Sequence, residues 1–262
     1  MAEKSRDIKV CSNLSELSEY AARFVAASAL RSVRERGRFC LCLSGGSTPR
    51  ETYARLSDHP FRSEIPWHDV HVFWGDERCV PTNHPDSLYG MAWELMLSKV
   101  PIPPENVHRL RGESKNPSDA AAEYEEMLRD FFRLKIHEKP RFDLILLGMG
   151  ADGHTASLFP GTRALEEKRR LVVANYVPAL KANRLTLTLP VLNNAAMVMF
   201  LVAGESKSSS VGSVLRDTRE EKRLPASMID PLDGRVLWVL DRKAASQWIQ
   251  TDSGSSDVHE LL

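Results

Sequence analysis

Residues 148–160 read Gly-Met-Gly-Ala-Asp-Gly-His-Thr-Ala-Ser-Leu-Phe-Pro. Imidazole is the side chain whose proton affinity lies nearest neutrality. A carboxylate close to it orients the ring and favours its cation. Asp152 and His154 therefore form a candidate acid–base pair, with His154 as general base on water and Asp152 as its orienting partner. A Ser-His-Asp triad is the competing chemistry, but no Gly-x-Ser-x-Gly turn presents a nucleophilic serine. A second segment, Ser44-Gly45-Gly46-Ser47-Thr48-Pro49, has two glycines that permit tight turns. Its backbone N–H groups, with the serine and threonine hydroxyls, suit an anion. It has neither the Gly-Lys-Ser/Thr ending of a P-loop nor the spacing of a dinucleotide fingerprint; the plain alternative is an ordinary strand-to-helix turn. A third segment, Gly75-Asp76-Glu77-Arg78, puts Asp76 and Arg78 behind an apolar run as candidate substrate-binding residues; a bare charge triplet is otherwise a solvated ion-pair cluster. Two more cations, Arg184 and Lys207, stand alone in sequence and with the Ser-Gly-Gly loop could neutralise a phosphate dianion.

These segments need a frame that brings them together. Short apolar runs alternate with longer amphipathic ones. Strands are expected at Phe39–Leu43, Val70–Trp74, Phe142–Leu147, Leu171–Val177, Met197–Ala203 and Val236–Leu240. Helices are expected from Leu14 after an Asn13 cap, from Pro49 to Leu56, from Ser87 to Leu97 and from Asn116-Pro117 onward. Two more fall near Ser206–Leu215 and Arg242–Ile249. Arg184 to Leu189 alternates strictly, which predicts a strand with a polar face of Arg184, Thr186 and Thr188. Buried strands alternating with helices predict an α/β fold, a largely parallel sheet covered on both faces. Ligands in such folds sit beyond the carboxyl ends of the strands. That rule selects the segments after Leu43, Trp74 and Leu147. A single domain over residues 1–250 is expected, followed by a Ser- and Asp-rich tail from Thr251 that frays.

Composition narrows the function classes. The chain has 262 residues, with 35 Lys and Arg against 35 Asp and Glu. Zero net charge argues against a broad nucleic-acid surface. Four cysteines are too few for a disulfide scaffold, and no ligand spacing suggests a metal. No apolar run approaches the ~20 residues of a membrane span, and the first residues lack an apolar signal core. A cytoplasmic protein without membrane or nucleic-acid partners is expected.

The segments Leu43–Pro49, Asp76–Arg78, Gly148–Pro160, Asn183–Asn193 and Gly204–Lys207, in this order from about residue 8 to 249, resemble the glucosamine-6-phosphate isomerase/6-phosphogluconolactonase family. The Asp-Gly-His-Thr-Ala-Ser-Leu-Phe-Pro block is the most specific of them. The resemblance implies a modified Rossmann-like sheet, no cofactor and no metal. It also implies hydrolysis of 6-phospho-D-glucono-1,5-lactone, the second step of the oxidative pentose phosphate pathway, by a monomer or small homo-oligomer. The phosphate would lie on Ser44, Gly45, Gly46, Ser47, Thr48, Arg184 and Lys207. Arg78, or a backbone N–H near Gly150, would face the lactone carbonyl; Arg78 at the phosphate is the open alternative. Within the family, a glucosamine-6-phosphate deaminase would carry a Glu where this chain has Phe159, and Asp-Glu-Tyr in place of Asp76-Glu77-Arg78. A non-catalytic sugar-phosphate sensor is the other alternative. It would lose the Asp152–His154 pair and carry a fused DNA-binding module, for which few residues precede the first strand.

Overall fold

Asn13 opens the first helix as expected: its side chain accepts the Glu16 N–H at 3.0 Å, satisfying one of the donors a helix start leaves free. The computed structural model describes residues 7–216 and 224–252. In chain order, β1 (Asp7–Cys11), α1 (Leu14–Arg36), β2 (Phe39–Leu43), α2 (Pro49–Leu56), α3 (Phe61–Glu64), β3 (Val70–Trp74) and β4 (Asp76–Arg78) come first. Then follow α4 (Leu88–Leu95), β5 (Val107–His108), α5 (Pro117–Phe132), β6 (Leu144–Leu147), β7 (Val172–Val177) and β8 (Ala182–Leu187). The chain continues through α6 (Leu189–Leu192), β9 (Met197–Val202), α7 (Ser208–Leu215), β10 (Arg235–Asp241) and α8 (Arg242–Asp252).

Seven strands form one sheet in the order β1-β10-β9-β6-β2-β3-β5, and every pairing in it is parallel. All residues of β2 and β6 are buried, as strands must be when a parallel sheet is covered on both faces. Among the described residues no helix is long and apolar enough to cross a membrane.

The expected strands and helices of the large sheet are present, with ends shifted by a residue or two. The small sheet and the C-terminal boundary differ from the expectations. Asp76–Arg78, for which no element was expected, is β4, and β4, β8 and β7 form a separate three-stranded antiparallel sheet. The alternating segment ends as a strand at Leu187, and Leu189 begins α6. Its polar face is not open either, because Thr186 and Thr188 are both 0 % exposed. Their hydroxyls donate to the carbonyls of Leu187 and Arg170, so the alternation there reports internal hydrogen bonding rather than solvent. The final helix runs through Asp252, past the expected tail boundary at Thr251; the rest of that tail, 253–262, lies outside the described residues.

Candidate active site

The sheet order makes neighbours of β9, β6, β2 and β3. The segments leaving their carboxyl ends therefore stand side by side: Gly204–Lys207, the Gly148–Pro160 segment, the Ser44–Thr48 loop and β4. This is the edge where α/β sheets bind ligands.

The segment after β6 turns back on itself. Gly150 N–H donates to the His154 carbonyl at 2.9 Å, and Gly153 N–H to the Gly150 carbonyl at 3.0 Å. That closure brings Asp152 Oδ1 to 2.5 Å from His154 Nδ1 and 3.1 Å from the His154 N–H. Asp152 is drawn below the usual carboxylate range: burial pushes it up, but the ring and backbone hydrogen bonds from His154 outweigh that. With Nδ1 engaged, Nε2 is the nitrogen left for chemistry; the His154 side chain is 31 % exposed. Phe159 stacks on the ring, centroids 4.1 Å apart, and fixes its plane. A Cβ on Gly150 would fall 2.0 Å from His154 Nδ1 and 2.5 Å from Asp152 Oδ1, so only glycine leaves room for this pair.

The Ser44–Thr48 loop is held at its root. Buried Tyr53 on α2 accepts the Ser44 N–H at 3.0 Å and donates to the Ser44 carbonyl at 2.7 Å. Beyond that clamp, Gly46 and Ser47 are exposed. No described group accepts from the N–H of Gly45, Gly46 or Ser47. Thr48 leads into α2 without a side-chain cap, and Ser44 Oγ is buried without a hydrogen-bond partner. A row of unsatisfied donors at a strand-to-helix turn suits an anion. Tyr124 on α5 clamps the end of β3 in the same way, accepting the Trp74 N–H at 3.0 Å.

The small sheet supplies the charges. Antiparallel register puts Arg78 opposite Arg184, Asp76 opposite Thr186 and Asn175 opposite Arg184, so all five lie on one face of it. That face also seats the loop that follows His154. Asp76 Oδ2 accepts from Ser157 Oγ at 2.7 Å, Ser157 N–H reaches Thr186 Oγ1 at 3.3 Å, and Asn175 Nδ2 donates to the Ser157 carbonyl at 2.9 Å. Asp76 is 5 % exposed; burial raises its carboxyl, opposed by Arg78, the Ser157 hydroxyl, His154 and Arg184 in turn. Asp76 is thus the point at which the fields of the imidazole and both guanidinium groups meet.

Among the described residues neither Arg78 nor Arg184 has a carboxylate partner. Arg78 donates to the Asp86 carbonyl at 3.1 Å and Arg184 to the Asn183 carbonyl at 3.3 Å, and Arg78 Nε is buried without an acceptor. Burial, and then the facing Arg78 charge, push the Arg184 guanidinium below its ordinary value. Like charges directly opposite across strands repel; an anion between them removes that cost. Lys207, in the turn Glu205–Lys207 before α7, is set against the His154 loop through Ser210, whose hydroxyl bonds both the Lys207 and the Gly150 carbonyls. No described hydrogen bond or ion pair joins Lys207 to the arginines, so it approaches the edge from the β9 side and they from the β3 side.

Sequence reasoning missed Tyr53, Tyr124, Ser157, Asn175 and Glu77. The tyrosines carried no signal beyond helical core spacing. Ser157 lies inside the Gly148–Pro160 motif and could have been marked. Two surface clefts lie away from this edge, one lined by Glu19, Arg55 and Phe61, the other by Asp7, Phe24 and Arg235 at the opposite end of the strands. Among the described residues no three His, Cys, Asp or Glu side chains are grouped as metal ligands.

Known proteins resemble the chain in sequence and in fold. A Synechocystis 6-phosphogluconolactonase is 40 % identical over 237 residues, 90 % of this chain and 96 % of that one. The structure of 6-phosphogluconolactonase from Trypanosoma cruzi superposes with a TM-score of 0.82 at 29 % identity, covering 92 % of this chain and 96 % of that one. A monomeric glucosamine-6-phosphate deaminase shares the fold at a TM-score of 0.76 and 23 % identity, covering 92 % and 99 % of the two chains. Residues 12–238 match the family described as glucosamine-6-phosphate isomerases/6-phosphogluconolactonase, and the chain belongs to that family.

Proposed function

We propose that this protein hydrolyses 6-phosphogluconolactone to 6-phosphogluconate, the lactone-opening step of the oxidative pentose phosphate pathway, with His154 as the general base. The observation that carries the proposal is the Asp152–His154 contact at 2.5 Å, which engages Nδ1 and leaves Nε2 free at the sheet edge that also carries Arg78 and Arg184. Asp152 holds the ring in the tautomer with a proton on Nδ1. Nε2 takes a proton from water as its oxygen bonds to the lactone carbonyl carbon. The carbonyl electrons move to oxygen, and the tetrahedral oxyanion needs donors. When it collapses, the bond to the ring oxygen breaks, and His154 returns its proton to that oxygen. The acid formed then ionises.

The register supports placing both arginines at one end of the substrate. Arg78 stands directly across from Arg184, so an anion that engages one engages the other. This favours Arg78 at the phosphate, together with Arg184, Lys207 and the donors of Ser44–Thr48, and leaves a backbone N–H near Gly150 for the carbonyl. Phe159 and Arg78, standing where a deaminase would carry Glu and Tyr, support the lactonase over the deaminase reading.

The test is steady-state hydrolysis of the lactone by the purified protein and by His154→Ala, with spontaneous opening subtracted. Loss of a positioned acid–base group lowers kcat by ~100- to 10,000-fold, with KM little changed because the interaction belongs to the transition state. Activity within a few-fold of the parent would remove His154 from the mechanism.

A further inference from the structure

Glu77 lies between Asp76 and Arg78, and strand alternation turns it to the opposite face of β4. It is 2 % exposed, and no described base pairs with it. Both carboxylate oxygens meet donors. Oε1 accepts the Arg78 N–H at 2.7 Å and the Leu88 N–H at 2.8 Å; Oε2 accepts the Tyr89 N–H at 2.8 Å and faces the Ser87 hydroxyl at 3.4 Å. Leu88 and Tyr89 open α4, whose first-turn N–H groups have no acceptor within the helix. One buried anion therefore closes the start of α4 and fixes the backbone of Arg78 at the same time. Burial lifts the carboxyl to about 6, against the pull of the Leu88, Tyr89 and Arg78 N–H groups, so it is anionic at neutral pH.

The same helix supports the anion loop. Leu88 is 2 % exposed, and its Cδ2 lies 2.2 Å from where a Cβ on Gly45 would stand; its side chain fills the space behind the loop. Gly112 closes over the other side, where a Cβ would meet the Arg78 carbonyl at 2.2 Å and Glu77 Cγ at 3.1 Å. We infer that Glu77 is a positioning residue for substrate binding, tying the backbone of Arg78 to α4 and, through Leu88, to the Ser44–Thr48 loop. The inference rests on the reading of Arg78 and that loop as phosphate-binding elements.

A double-mutant cycle tests it. Glu77→Gln keeps the shape but turns an NH2 group toward backbone donors. Kinetics of lactone hydrolysis and calorimetric binding of 6-phosphogluconate are measured for Glu77→Gln, Arg78→Ala and the pair. Glu77→Gln raises KM and the product Kd about tenfold with a smaller change in kcat. In the Arg78→Ala background the same change costs less than about threefold, as coupled neighbours require. Equal losses in both backgrounds, or a lowered melting temperature with KM unchanged, overturn the inference. Arg78→Ala alone decides the underlying reading: unchanged binding there refutes Arg78 as a phosphate ligand whatever Glu77 does. If Glu77→Gln does not fold, Glu77→Asp, which keeps the charge and shortens the reach, enters the same cycle with the same criteria.

Discussion

His108 makes the stability of this fold depend on pH, and the size of the effect can be worked out. It closes the β5 edge beside β3, stacked on Phe73 with centroids 4.5 Å apart, and its Nε2 lies 3.3 Å from Nδ1 of His71. Phe131 packs on both imidazoles, and the Arg38 guanidinium lies 5.0 Å from the Phe131 ring centroid. Burial, and then the neighbouring His71, lower His108 from 6.5 to about 4. Above the unfolded value both states are neutral and pH has no effect through this group. Between there and about 4 the unfolded chain binds a proton that the folded one refuses, so stability falls as the pH falls. At 1.36 kcal/mol per unit, the whole window costs about 3 kcal/mol, a large part of a typical ~5–15 kcal/mol. The perturbation is His108→Phe, which keeps an aromatic ring against Phe73 and removes the titration. Urea unfolding at intervals from pH 7 to 4 gives the difference in stability between parent and variant. That difference shifts in favour of the variant by about 3 kcal/mol across the window, while carboxylate titrations common to both cancel. A constant difference would show that the folded protein accommodates the imidazolium and refute the reasoning.

Arg184→Ala should act with opposite signs on two measurements. Removing one of two facing guanidinium groups raises the melting temperature of the free protein, as relief of a cross-strand repulsion of ~0.2–1 kcal/mol requires. It also weakens calorimetric binding of 6-phosphogluconate by about tenfold or more, the loss of a charge-assisted hydrogen bond. Lys207→Ala should weaken product binding without the gain in melting temperature, since no described cation faces it, and for both variants hydrolysis of unphosphorylated gluconolactone should suffer less than that of the phosphorylated substrate; equal losses would mean that neither reads the phosphate. Gly150→Ala should lose activity about as far as His154→Ala, ~100-fold or more, with an unchanged circular dichroism spectrum, because the new methyl group falls on the His154–Asp152 contact; near-parent kinetics would show that the pair adjusts freely.

Most of the large sheet was legible because β2, β3, β6, β9 and β10 are short apolar runs bounded by turn residues, and burial on both faces leaves little else such a run can be. The positions of Ser44–Thr48 and Gly148–Pro160 followed from the rule that sites lie at the carboxyl ends. β1 had no such signal, with Lys9 interrupting Ile8–Cys11. β4 is three residues long, too short to show a period, and stood out only as a charge triplet behind an apolar run. The polar face of Thr186 and Thr188 was legible, but alternation reports which side is polar and not what satisfies it. Here the partners are the Ser157 N–H and the Arg170 carbonyl, remote in sequence. The same remoteness hid the Asp76–Ser157 bond, whose partners are 81 residues apart.

The division into two sheets has a chemical consequence. A parallel sheet ends in turns, and turns offer backbone donors and small residues, which suit an anion but provide no charge of their own. Charged side chains placed within the large sheet would have to be buried between helices, where an unpaired charge is costly. The small antiparallel sheet avoids this by hanging β4 from the end of β3 through Gly75, whose carbonyl accepts the Leu187 N–H at 2.8 Å and so sets the register of β8 against it. That register places two arginines opposite each other without a carboxylate partner for either. Nothing in the free fold is stabilised by this, and such a local inconsistency is what the proposed phosphate site would produce. The arrangement becomes favourable when an anion occupies the space between the guanidinium groups. The strand network beneath them, Asp76 to Ser157 to Asn175, ties the small sheet to the loop that carries His154, so in the proposed mechanism the residues that anchor the substrate and the base that activates water stand on one hydrogen-bonded frame.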